Sequence, residues 1–224
     1  MVSVILIWIY MTVTCYITGY SVLTGICRKG NYQIRKESSY LFSGIVLMTV
    51  YAEIFSLFGG VSFFANALLL VICLICFLVK KEELAGHFRH IRLTVTPQRV
   101  ILILVLFFLF AYGTASGLEH YDTGLYHAQS IRWIEEYGIV PGLGNLHSRL
   151  AYNSAAFSLS ALYSMAFLTG RSFHCCTGYF AFLLAVCCTD ACCREREKKL
   201  LLSDLIRVMA VYYLLNIFDE MISP

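Results

Sequence analysis

Within residues 119–138, EHYDTGLYHAQSIRWIEEYG, the chain gathers most of the side chains that can do chemistry. Asp122 stands beside His120, Tyr121 and His127. A carboxylate held there can accept a proton from an attacking hydroxyl, or help His120 hold a divalent cation. The same Asp122 can equally be a helix N-cap, its oxygens accepting from the orphan amides of the first turn. The two roles are compatible, because a capping position fixes a carboxylate rigidly. Arg132, His147, Arg149 and Asn153 follow. Arg149 can pair with Glu135 or Glu136, or meet a phosphate through its bidentate fork. The spacing HxR over 147–149 does not separate a phosphate-binding His147 from a surface histidine.

The elements that must position these groups are set by composition. Of 224 residues, 59% are hydrophobic and only 14% charged, against about 25% charge in an average soluble domain. The mean hydropathy is +0.72, and the polar residues cluster between long apolar runs. This predicts an all-α, polytopic helical bundle, since backbone groups in lipid must be satisfied within the helix. A net charge of +3 is too small and dispersed for a nucleic-acid-binding surface. Ten cysteines suggest a disulfide scaffold until they are placed. Most lie inside apolar runs, where a free cysteine packs as a small hydrophobe.

About six spans are expected, near 4–25, 39–58, 61–79, 99–116, 172–189 and 200–217, each close to the roughly 20 residues that cross a hydrocarbon core. The connectors CRKGNYQIRKESS and KKEELAGHFRHIRLTVTPQR carry most of the basic residues between the early spans. The Lys/Arg bias puts both in the cytoplasm. The N-terminus and a large loop, 118–171, are then external. Were 150–170 a further span, CREREKK (193–199) would fall outside, so 152–168 is expected to lie along the interface instead. Leu125, Tyr126, Trp133, Ile134 and Tyr137 recur near a 3.6 period, which predicts a short amphipathic helix over 125–137 at the membrane surface. Gln129, Arg132, Glu135 and Glu136 fill its polar arc. Glu53 is the ionisable residue expected deep in an early span, packing against a hydroxyl or serving a function.

The order YDTGLYHAQSIRWIEEYG, then VPGLGNLHSRLAYNSAAFSLSALYS, then a span beginning near FHCCTGYF resembles the start of the catalytic module of GT-C glycosyltransferases. These are multispanning enzymes that use polyprenyl-phosphate sugars. Residues 119–160 resemble more closely a group of bacterial multispanning proteins allied to that superfamily, with looser agreement over 99–220. The resemblance implies a three-span region over 1–98 and, over 99–224, the opening part of a GT-C-like module that would continue in a longer protein. It also implies a bacterial inner-membrane location. The family's external carboxylate falls on Asp122 and its tyrosine on Tyr126. The family's second acid falls on Thr123, and Tyr152 and Asn153 stand where it has Pro-Pro.

Two functions follow as expectations. In the first, the chain is part of an enzyme that transfers a sugar from a polyprenyl-phosphate donor on the non-cytoplasmic face. Asp122 is the base or a ligand for Mg or Mn, with His120 a further ligand. Tyr126, His127, His147, Arg149 and Asn153 are the candidates for holding substrate or phosphate. In the second, it is a non-catalytic membrane component of a polysaccharide or glycolipid export system, such as a flippase or polymerase-like partner. The partners are membrane lipids and no nucleic acid. A transporter would need polar or broken helices near the midplane, and VILILVLFFLF in the fourth span offers none.

Overall fold

A computed structural model describes residues 1–34, 36–116, 121–152, 154–194 and 201–217, without the side chains of residues 94 and 192–194. The described chain is helical throughout its regular parts, in the order α1 (Val2–Gly30), α2 (Ser38–Ser56), α3 (Phe63–Thr94) and α4 (Pro97–Ser116), then α5 (Ala128–Tyr137) and α6 (Leu143–Leu146). It continues through α7 (Ala155–Tyr163), α8 (Ala166–Thr169), α9 (Cys176–Arg194) and α10 (Leu202–Asn216). Four of these, α1 to α4, are long and apolar enough to cross a membrane. The fifth and sixth expected spans fall on helices that are not among these four: α9, whose apolar stretch Cys176–Ala191 is shorter, and α10, of 15 residues.

Local chemistry sets the helix ends. Asn31 takes the left-handed conformation that closes α1, after Arg28 and Lys29 in its last turn, where cations complement the helix dipole. Helix α3 runs on past its apolar stretch through KKEELAGHFRH to Thr94, because nothing in that polar stretch breaks a helix. Pro97 then opens α4 at a position where its missing amide costs no hydrogen bond.

The closest packing in the bundle joins α1 to α2. A side chain on Gly44 would collide with the Cys15 backbone, and one on Gly19 with the Tyr40 carbonyl. Small residues let helix backbones approach where no hydrophobic force draws them together. Trp8 of α1 is fully buried, with Phe107 of α4 at 5.6 Å and Tyr179 and Phe182 of α9 at 5.7 and 5.8 Å between ring centroids.

The two ends of the bundle differ in charge. Arg28–Glu83 (3.2 Å), Lys80–Glu83 (3.1 Å), His87–Glu37 (2.8 Å) and Arg99–Asp190 (3.1 Å) all join connectors or helix ends on one side. The expected basic connectors therefore meet at one end. The α2–α3 turn and α5 meet at the other, where Ile139 N donates to Ser56 O at 2.8 Å and Val61 N to Ile134 O at 2.9 Å. Glu53 is a correction. It lies in the last turn of α2, half-buried toward that second end, and not deep in a span.

The segment 152–168 also departs from expectation. Helix α7 neither lies along a surface nor crosses the bundle. Its nine residues are about 14 Å long, and every residue from Phe157 to Tyr163 is buried. It inserts among α1, α2, α5 and α9. Tyr163 reaches Thr14 in the middle of α1, hydroxyl to hydroxyl at 2.8 Å. The chain then reverses through Met165 and Gly170, both at positive φ, before α9 begins. Ser158, Ser160 and Ser164 are buried here. Small hydroxyl side chains suit tight helix packing, and Ser164 returns its proton to the Ala161 carbonyl at 3.0 Å.

The described cysteines Cys15, Cys73, Cys175 and Cys176 are buried and unpaired, as the packing reading expects. If the Gly44 contact sets the α1–α2 spacing, Gly44→Ala should lower stability in detergent by about 1–3 kcal/mol through overpacking. Gly25→Ala, where a side chain meets nothing within 4 Å, should leave the thermal midpoint unchanged or slightly raised, because alanine suits a helix interior better than glycine.

Candidate functional site

The segment from Tyr121 to Tyr137 is one continuous helical path with a π turn, Thr123–His127, at its start. Such one-turn widenings of a helix occur frequently at functional sites. Asp122 already has helical dihedrals, φ −70° and ψ −23°, and makes no side-chain capping bond. The capping reading of Asp122 is therefore corrected: the helix begins before it, and its carboxylate is left to other partners.

Those partners come from the segment after α6. The Asp122 carboxylate lies beside the Tyr126 phenol, and Arg149 Nη1 stands 4.0 Å from Asp122 Oδ1. The Arg149 guanidinium lies over the Tyr126 ring, 5.5 Å from its centroid. Tyr152 stacks on Tyr126, with ring centroids 5.8 Å apart. His127 meets Tyr126 edge-on at 4.3 Å and Phe157 of α7 at 5.1 Å. Partial burial, then the nearby Asp122 charge, pushes the Tyr126 phenol above its ordinary range. The phenol therefore stays neutral at physiological pH.

His147 serves the turn that delivers Arg149. Its Nδ1 accepts from the Arg149 backbone amide at 3.2 Å, capping the 3₁₀ turn Ser148–Ala151. Of the candidates read from the sequence, Asp122, Tyr126, His127 and Arg149 thus come together, with His147 behind Arg149. His120 and Asn153 lie outside the described residues. Tyr152 is the member that sequence reasoning missed. Only its place five residues before the first buried ring of α7, Phe157, linked it to the cluster.

Helix α5 holds this cluster against the bundle by a different face from the one expected. Ile131 and Glu135 are buried, while Leu125 and Tyr137 are exposed. Glu135 was placed on the polar arc. Instead its Oε2 accepts from Ser172 at 2.9 Å and pairs with Arg132 at 3.2 Å, while Arg132 also binds Glu136 at 2.6 Å. Arg149 therefore pairs with Asp122 and not with these glutamates. Gly138, at φ +77°, ends α5 where a side chain would strike the Ser56 and Gly59 carbonyls. Only glycine suits both that conformation and that approach.

Chemically, the cluster offers a half-exposed carboxylate, a phenol and a guanidinium with donors to spare. Asp122 can take a proton from a hydroxyl, and Arg149 can meet a phosphate oxygen. Among the described residues no group of three His, Cys, Asp or Glu is arranged to hold a metal ion. Because both partners are well exposed, a double-mutant cycle of Asp122→Asn with Arg149→Gln should give a coupling below about 1 kcal/mol in unfolding measurements. A much larger coupling would assign the pair to holding the fold together.

No curated protein and no solved structure matches this chain. The family described as Domain of unknown function (DUF8201) matches residues 1–224. The chain is therefore a member of the DUF8201 family.

Proposed function

We propose that this is an integral membrane protein of the bacterial inner membrane. Its N-terminus and residues 118–171 lie outside, and it transfers a sugar from a polyprenyl-phosphate donor at that face. The observation that carries the reading is the meeting of Asp122, Tyr126 and Arg149 at the end of the bundle away from the basic connectors. The positive-inside bias puts that end outside. Asp122 acts as the base toward the acceptor hydroxyl, and Arg149 contacts the donor phosphate. A single carboxylate with substrate phosphates is a common way to hold Mg, so Asp122 also carries the proposed Mg or Mn site, with His120 as a further ligand in this scheme. An apolar cavity of about 720 Å³ opens at the same end, between Leu6 and Ile7 of α1, Phe63 and Leu70 of α3, and Phe167 and Leu168 of α8. Its walls suit an isoprenoid chain.

The test uses the purified protein in proteoliposomes with a series of polyprenyl-phosphate hexoses. Loss of a general base typically costs about 10²–10⁴ in rate, so Asp122→Asn should cut transfer by about 100-fold or more. Arg149→Gln should weaken donor binding. Transfer by Asp122→Asn at the wild-type rate would contradict the enzymatic reading, and would favour a non-catalytic role in glycan or glycolipid export.

A further inference from the structure

Helices α3 and α4 join the same two ends of the bundle with very different lengths. Helix α4 runs from the Arg99–Asp190 pair at the basic end to Thr114, which lies against Gly178 at the start of α9. Its 20 residues make about 30 Å, close to the thickness of a hydrocarbon core. Helix α3 starts at the end where α4 finishes, and its 32 residues make about 48 Å. The surplus cannot project into water, because only Val95 and Thr96 separate Thr94 from Pro97, the first residue of α4. It passes beneath the bundle instead. Leu84 is buried with Tyr20 and Tyr40, and His87 Nε2 is 2.8 Å from Glu37 Oε2. Ile91 and Val95 line a cavity of about 460 Å³ with Leu41 of α2, Ile103 of α4 and Leu183 of α9. One face of the last turns of α3 is thereby packed. Arg89, Arg92 and Leu93, outside that face, are exposed.

This end carries an excess of positive charge. Glu83 binds Arg28 and Lys80, while Asp190 and Asp204 hold Arg99 and Arg207. Lys29, Lys36, Lys81, Arg89 and Arg92 make no ion pair among the described residues. Against them stand Glu82 and Glu37, whose partner His87 is charged only when protonated. No acidic residue follows Glu83 in α3. We propose that the last turns of α3, residues 84–94, dock on the anionic phospholipid headgroups of the inner leaflet through Arg89 and Arg92. Clusters of Lys and Arg just beyond a membrane helix suit such a surface. The leaflet then holds one face of this segment while α1 and α2 hold the other. The assignment takes the membrane placement proposed above and is independent of sugar transfer, since none of its residues belongs to the Asp122 cluster.

A fluorescent probe at Leu93, 80% exposed, reads the contact. A bimane label on Leu93→Cys, in the full chain without its native cysteines, is quenched by neutral acrylamide in nanodiscs. The discs hold phosphatidylcholine alone, or an equal mixture with phosphatidylglycerol of the same acyl chains. A cation near an anionic surface strengthens contact about fivefold, so two arginines should raise the docked-to-free ratio about 25-fold and lower quenching by about twofold or more. In about 1 M NaCl, where the screening length falls to about 3 Å, the difference between the discs should vanish. Arg89→Gln with Arg92→Gln should also remove it, at an unchanged thermal midpoint, because both side chains face outward. The same label on Phe58→Cys, 86% exposed at the other end, should not distinguish the discs. Equal quenching at Leu93 in both discs, a difference that survives the salt or the double variant, or the same difference at Phe58 would each overturn the proposal. The salt comparison needs neither arginine changed, so it decides the matter even if the double variant does not fold.

Discussion

A backbone that leaves the helical path inside an apolar bundle must find donors for its carbonyls, since each unsatisfied group costs several kcal/mol in hydrocarbon. The segment from Leu162 to Cys175 is where this chain meets that constraint. Asn66 Nδ2 donates to the Leu162 carbonyl at 3.0 Å, and the Phe173 amide donates to the Ser164 carbonyl at 2.9 Å. Trp8 Nε1 donates to the Cys175 carbonyl at 3.0 Å. The donors themselves are held in place. Tyr10 hydroxyl donates to Asn66 Oδ1 at 2.9 Å, and three aromatic rings enclose Trp8. A short helix can enter the bundle and turn back because α1 and α3 carry these polar groups on their inner faces.

The position of the candidate site depends on that arrangement. Helix α7 supplies Phe157 beneath His127 and packs against α5. Helix α5 is in turn bound to the α2–α3 turn through backbone hydrogen bonds and the glycine at 138. The Asp122 cluster therefore stands on the buried α7 and on the ends of α2 and α3. Its own ion pair adds little to this support, because both partners face solvent.

Much of this was legible in the sequence, and the failures share a cause. The helices from α1 to α4 follow from apolar run length, and the separation of charge at the two ends follows from the basic connectors. The grouping of Asp122, Tyr126, His127 and Arg149 was also within reach, since all four lie in one short stretch between apolar runs. What failed were statements that need tertiary context. Serines at 158, 160 and 164 look polar in isolation, yet their small size is what tight packing uses. Glu135 looks solvated until Ser172 and Arg132 are brought to it. Asp122 looks like a cap until the helix is seen to begin before it. The role of Asn66 could not be read either, because its partners Tyr10 and Leu162 are distant in sequence.

The central claim is that 155–175 enters the bundle and returns to the same end. Single cysteines at Glu136 and Arg171, both exposed, report on the chain before this excursion and near its end. Each would be introduced into a protein lacking its native cysteines and treated in sealed cells with a membrane-impermeant maleimide. The account predicts that both positions react from the same side. Reaction of one from outside and the other only after permeabilisation would mean that the segment crosses the membrane, and would contradict it.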